Sequence, residues 1–138
     1  GGQMKNQSSV LIVDDEEIVR RAHLRSLEDT GCLARVAEDG NEAIREMEQE
    51  PADVILLDIR MPGQDGMDVL KTIKTRWPDS EVVVITGYPT VEAAKEAVRL
   101  GACNYIAKPV APDDVIKAAN EAITQKRWAL RSVPTVSH

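Results

Sequence analysis

The sequence predicts an α/β domain built on a five-stranded parallel sheet, and three observations predict it. Five short apolar runs recur along the chain, each followed by a segment of helical periodicity. The strongest of these runs are continuously apolar rather than alternating, as strands covered on both faces must be. Four of them stop abruptly at a polar group: Asp14, Asp58, Thr86 or Lys108.

The first run, Val10-Leu11-Ile12-Val13, is a buried strand that ends in Asp14 and Asp15. Glu16 and Glu17 follow, and acidic residues in a first turn favour a helix N-terminus through the macrodipole. That helix runs to about Thr30, where Gly31 stops it. His23 lies inside it and reads as a surface or packing residue, away from the strand ends. Leu33 to Ala37 is a second strand, interrupted by Arg35 as an edge strand tolerates. Asp39-Gly40-Asn41 is a turn with Asn41 as the expected N-cap of the next helix, whose inward stripe is Ala43, Ile44 and Met47. Pro51 closes that helix.

The run from Val54 to Asp58 is the central strand, and a loop from Met61 to Gly66 follows it. Val69, Leu70, Ile73 and Trp77 recur at helical spacing, with Trp77 closing the helix against the core. Val82 to Ile85 is the fourth strand and ends at Thr86-Gly87. Thr90 caps an Ala-rich helix that Gly101 ends. Cys103 to Ala107 is the fifth strand and ends at Lys108-Pro109. Pro112-Asp113-Asp114 opens the last helix, with Val115, Ile116, Ala119, Ala122 and Ile123 inward. Its pattern fades after about Trp128. The expected division is a mobile tail over 1–8, with Gly1-Gly2 a cloning remnant, a domain over 9–128, and a linker or tail over 129–138.

Right-handed crossovers bring all the carboxyl ends of a parallel sheet to one edge. The flavodoxin-like order 2-1-3-4-5 is the natural arrangement for five strands. It places Cys32 and Cys103 at opposite edges, too far apart to be bridged, and leaves two free thiols. It also gathers Asp14, Asp15, Asp58, Thr86 and Lys108 at the edge where open α/β sheets bind ligands. Each of these alone reads as a helix cap, a turn residue or a solvated charge. Five at the same strand ends read as a site.

Three acids crowded together need a cation. Oxygen ligands without His or Cys suit Mg²⁺ rather than a transition metal. A divalent ion, a lysine and a carboxylate nucleophile are the parts of phosphoryl chemistry through an aspartyl phosphate, with Asp58 the candidate nucleophile. The net charge of −6 argues against a nucleic-acid surface. The apolar runs are too short to span a membrane, and no secretory signal opens the chain.

The motifs Asp14-Asp15, Leu57-Asp58-Ile59-Arg60-Met61-Pro62-Gly63 with Asp65-Gly66, Ile85-Thr86-Gly87, Gly101-Ala102 and Tyr105-Ile106-Ala107-Lys108-Pro109 stand in order along the chain. Over about residues 9–127 the chain resembles the receiver domains of two-component response regulators, most closely those attached to transcription activators. The resemblance implies a cytoplasmic signalling domain rather than an enzyme, with Asp58 taking a phosphoryl group from a sensor histidine kinase. Asp15, Asp58 and the carbonyl of Arg60 would hold Mg²⁺, with Asp14 acting through water. Lys108 would contact the phosphoryl oxygens, and its bond to Pro109 would be cis. Thr86 and Tyr105 would be the switch residues, and the face of the fourth helix, fifth strand and fifth helix would change shape and offer a homodimer surface. An output domain would lie outside this chain.

Gln64 stands where the family commonly has Met, and Val110 where it often has Phe. Arg60 and Tyr88 follow Asp58 and Thr86 by two residues, placed to tune the phosphoryl lifetime by shielding the group from water or admitting it. Two other readings compete. A Mg²⁺-dependent phosphohydrolase would carry a second carboxylate two residues after its nucleophile, where this chain has Arg60. An unphosphorylated pseudo-receiver would not need the full set of Asp14, Asp15, Asp58, Thr86 and Lys108.

Overall fold

A computed structural model describes residues 7–61 and 63–131. The strands are β1 (Ser9–Val13), β2 (Leu33–Ala37), β3 (Val54–Leu57), β4 (Glu81–Thr86) and β5 (Asn104–Ala107). The helices are α1 (Glu17–Leu27), α2 (Gly40–Gln49), α3 (Gly66–Arg76), α4 (Val91–Arg99) and α5 (Pro112–Arg131). All five strands pair in parallel, in the order β2-β1-β3-β4-β5. A two-residue antiparallel ladder joins Arg60–Met61 to Gln64–Asp65 within the loop after β3.

The central strands are buried on both faces because alternate residues feed two separate helical layers. Leu11, Val13, Ile55, Leu57, Val82 and Val84 pack with residues of α2, α3 and α4. Val10, Ile12, Val54, Leu56, Val83 and Ile85 pack with Leu27 of α1 and the small inward residues of α5. The sequence holds no Phe, and the fully buried large side chains are all aliphatic or Met. Trp77 lies half-buried against the first of these clusters.

Several boundaries differ from the sequence expectation. The α2 cap is Asp39, not Asn41: Asp39 has extended backbone and its carboxylate accepts the Glu42 N–H at 2.8 Å. Helical geometry already begins at Gly40, so Asn41 lies inside the first turn. α1 ends at Leu27 and tightens into a 3₁₀ turn, Glu28–Thr30, before Gly31 takes φ +83°. β5 starts at Asn104 rather than Cys103, and both cysteines are free. α5 continues to Arg131 with Trp128 and Leu130 exposed, past the point where the apolar stripe fades. The Ser8 carbonyl accepts the Leu33 N–H at 2.8 Å, so strand pairing reaches back before residue 9. The rest of the expected leading and trailing tails, 1–6 and 132–138, lies outside the described residues.

The edge of the sheet opposite the strand carboxyl ends is pinned by one carboxylate. Asp53 accepts the Ser9 N–H at 2.8 Å and pairs with Lys126 of α5. Burial alone pushes the Asp53 carboxyl up, but the bonds from Lys126 and Ser9 outweigh it and hold it below the ordinary carboxylate range. A carboxyl lowered in the folded state stabilises above its unfolded pKa, and that contribution is lost as pH falls through the folded value. Asp53→Asn is expected to cost up to about 1 kcal/mol at pH 7, because the pair is partly open to water and screened. Melting curves of parent and variant should converge as pH drops below about 4.

Candidate functional site

The carboxyl ends of β1 and β3 lie side by side, with Val13 opposite Leu57. The ladder runs one residue further. Asp58 N–H donates to the Val13 carbonyl at 3.0 Å and Asp14 N–H to the Ala37 carbonyl at 3.2 Å. Lys108 is held the same way, its N–H on the Thr86 carbonyl at 2.8 Å. Sheet backbone therefore fixes Asp14, Asp58 and Lys108, which is why their side chains meet from far apart in sequence.

The Lys108 ammonium donates to Asp14 Oδ2 at 2.8 Å and Asp58 Oδ2 at 3.1 Å, with Glu16 Oε1 at 3.8 Å. Asp14 and Asp58 are 2% and 4% exposed, while Asp15 is exposed. The second Asp58 oxygen accepts the Arg60 N–H at 2.8 Å, and the second Asp14 oxygen accepts the Glu16 N–H at 2.9 Å. Burial pushes the Asp58 carboxyl up, with a smaller push from Asp14, and the bonds from Arg60 and Lys108 offset only part of it. For Lys108, burial pulls the ammonium down, and the bonds to Asp14 and Asp58 overcome it, leaving it raised.

One oxygen each of Asp14, Asp15 and Asp58 lies within 4.8 Å of the others. Three carboxylates against one lysine leave negative charge uncompensated where dielectric screening is weak. A hard cation fits this donor set, since all three groups offer oxygen and none offers nitrogen or sulfur. Asp15 and Asp58 open onto a cleft of about 680 Å³ lined also by Arg60, Gln64, Asp65, Tyr88 and Lys108.

Thr86 is fully buried, and its Oγ1 accepts the Tyr88 N–H at 3.1 Å. Tyr105 is half-buried against the α2–α4 side of the core, its hydroxyl buried without a partner among the described residues. The Lys108–Pro109 peptide is cis. Arg60 lies over the cleft with its guanidinium 4.0 Å from the Tyr88 ring centroid, a cation–π pair across the mouth.

Sequence reading missed three participants. Glu16 approaches Lys108, and Arg20 donates to the Asp14 carbonyl at 2.7 Å. The signal for Arg20 was its place one turn into a helix that starts at the site. His23 is buried, and Asp14 and Lys108 both act on its charge, so it lies nearer the site than expected. Burial dominates and pulls its imidazole down. Its spacing of four from Leu27 was the available clue.

Comparison with known proteins agrees with this geometry. A family model described as the response regulator receiver domain matches residues 10–120. A putative NtrX-like response regulator of Rickettsia felis is 37% identical over 127 residues, which cover 88% of this chain and 27% of that protein. The DNA-binding transcriptional regulator NtrC of Proteus hauseri is 35% identical over 121 residues, covering 88% of this chain and 26% of its own. The chain thus spans about a quarter of the length of these relatives. The crystal structure of NtrX from Brucella abortus superposes with a TM-score of 0.85 at 31% identity, covering 91% of this chain and 29% of that one. The parallel sheet, the acids at its carboxyl edge and these matches together place the chain in the response regulator receiver domain family.

Proposed function

We propose that this domain is a phosphoacceptor: an Asp58 oxygen attacks the phosphorus of a phosphohistidine on a sensor kinase. An O–P bond forms, the N–P bond breaks, and the imidazole leaves with the bonding electron pair. The observation that supports this most is Asp58 itself: it is buried at the end of the central strand, one oxygen on Lys108, beside two further carboxylates. Asp15, Asp58, Asp14 and the Arg60 carbonyl would hold Mg²⁺, which when bound supplies charge neutralisation for phosphoryl oxygens. The Lys108 ammonium would then turn from the acids toward the new phosphoryl oxygens.

The added charge would bias Thr86 and Tyr105 and reshape the α4–β5–α5 face. Val91 and Val98, both largely exposed and seven residues apart on α4, give that face an apolar stripe for a homodimer contact. The control exerted would be on transcription, through an output domain, in the cytoplasm. Among the described residues, no helix is long and apolar enough to cross a membrane.

The test is intact mass after incubation with Mg²⁺ and acetyl phosphate, followed by borohydride reduction and peptide mapping. A single labile adduct that maps to Asp58 supports the reading. No adduct would leave a binding module, and phosphate release without an adduct would indicate a hydrolase.

The Arg60–Tyr88 pair carries a separate prediction. Arg60→Ala and Tyr88→Ala should each change the phosphoryl half-life about fivefold, by removing a stacked cover worth about 1 kcal/mol. Unchanged decay in both variants would remove any shielding role from the pair.

A further inference from the structure

The loop between β3 and α3 is tied to a helix that takes no part in the proposed chemistry. Gln64 Oε1 accepts the Gly40 N–H at 2.5 Å, satisfying one of the unpaired donors at the α2 N-terminus. Its Nε2 reaches Asn41 Oδ1 at 3.5 Å. The fit depends on Gly40 being glycine. A Cβ there would lie 2.8 and 2.9 Å from the Gln64 amide atoms and 2.5 Å from Val69 Cγ2.

Gln64 is also half of the short ladder, paired with Met61, and the next rung pairs Asp65 with Arg60. A continuous path therefore runs from the α2 N-terminus through the Gln64 side chain to Arg60. Arg60 holds Asp58 by its N–H and covers the cleft with its guanidinium on Tyr88. Gln64 lines both the acidic cleft and the α2–α3 groove, so it forms the wall between them.

We propose that Gln64 is a positioning residue that, through its bond to Gly40, holds the Arg60 cover in place and so lengthens the life of the phosphoryl group on Asp58. The proposal rests on the phosphoacceptor reading. Among the described residues Gln64 bonds to Gly40 and Asn41 and to none of Asp14, Asp15 and Asp58, so it acts through Arg60. Methionine at 64 keeps the length of the side chain and loses its hydrogen bonds. Glutamate keeps an acceptor for the Gly40 N–H, where the helix dipole favours a negative group.

The experiment measures adduct decay by intact mass for the parent, Gln64→Met, Gln64→Glu, Tyr88→Ala and the Gln64→Met/Tyr88→Ala double variant. Circular dichroism melts of each confirm folding. Gln64→Met is expected to shorten the half-life about two- to fivefold, the loss of one hydrogen bond's holding power bounded by the worth of the cover itself. Gln64→Glu should return it to within about twofold of the parent, and Gln64→Met should add little on the Tyr88→Ala background. A merely structural role would not be absorbed by Tyr88→Ala. Parent-like decay in Gln64→Met, or an undiminished effect in the double variant, overturns the proposal while leaving Asp58 as acceptor. No adduct on the parent overturns the acceptor reading itself.

Discussion

Asp58→Asn is expected to abolish the phosphoryl adduct and to leave a more stable unphosphorylated domain. The first effect is chemical: an amide is no nucleophile toward phosphorus and forms no acyl phosphate. The second follows from the charge balance. Asp14 and Asp58 share one lysine with Asp15 beside them, and burial already pushes the Asp58 carboxyl up. A carboxyl raised in the folded state contributes stability below its unfolded pKa, and this is lost as pH rises through the folded value. At neutral pH the ionised Asp58 is thus a net cost, which asparagine removes at the expense of one bond to Lys108 or Arg60.

A gain of about 1 kcal/mol, or ~4 °C in Tm, is the expected scale. The gain should shrink as pH is lowered into the carboxylate range, because Asp58, raised above its ordinary value, protonates early in that descent. It should also shrink when Mg²⁺ is added, since a ligand that binds the folded parent stabilises it by mass action. Thermal melts in chelator and in Mg²⁺, at pH 4 and 7, check all three points. A variant less stable than the parent in chelator at pH 7 would show that the acids are well compensated.

Gly66→Ala is expected to cost about 3 kcal/mol or more. A Cβ at Gly66 would lie 2.2 Å from Ile59 Cα and 2.6 Å from its carbonyl oxygen. The obstacle is backbone, so no rotamer change relieves it. The Ile59 backbone cannot retreat freely either, because Asp58 and Arg60 on each side are held by the sheet and the short ladder. Gly87→Ala is the control. It borders the same cleft, with nothing among the described residues within 4 Å of the added carbon, and should stay within about 0.5 kcal/mol of the parent. Urea unfolding of the two variants measures the contrast.

The five strands were legible because both faces of β1, β3 and β4 are covered, which left continuous apolar runs in the sequence. Strand order then followed from the doubly wound arrangement natural for five parallel strands, and with it the meeting of Asp14, Asp58 and Lys108. Side-chain partners chosen by local packing were not legible. Asn41 is as good a capping residue as Asp39, and only the extended backbone of Asp39 and its bond from the Glu42 N–H show where the helix begins. The Arg60–Tyr88 stack joins two loops whose separation no periodicity encodes. His23 read as either surface or packing because α1 carries a blurred apolar face, on which the structure buries the imidazole and leaves Ile18 exposed.

An interior without phenylalanine gives the molecule simple optics. Trp77 sits half-buried at the end of α3 beneath the Arg76 guanidinium, and Trp128 stands 65% exposed near the end of α5. Neither lines the acidic cleft. Tryptophan fluorescence is therefore blind to events confined to the carboxylates, unlike that of Tyr88 in the cleft wall. Any change in tryptophan emission on phosphorylation would report that the disturbance had travelled to the helix ends.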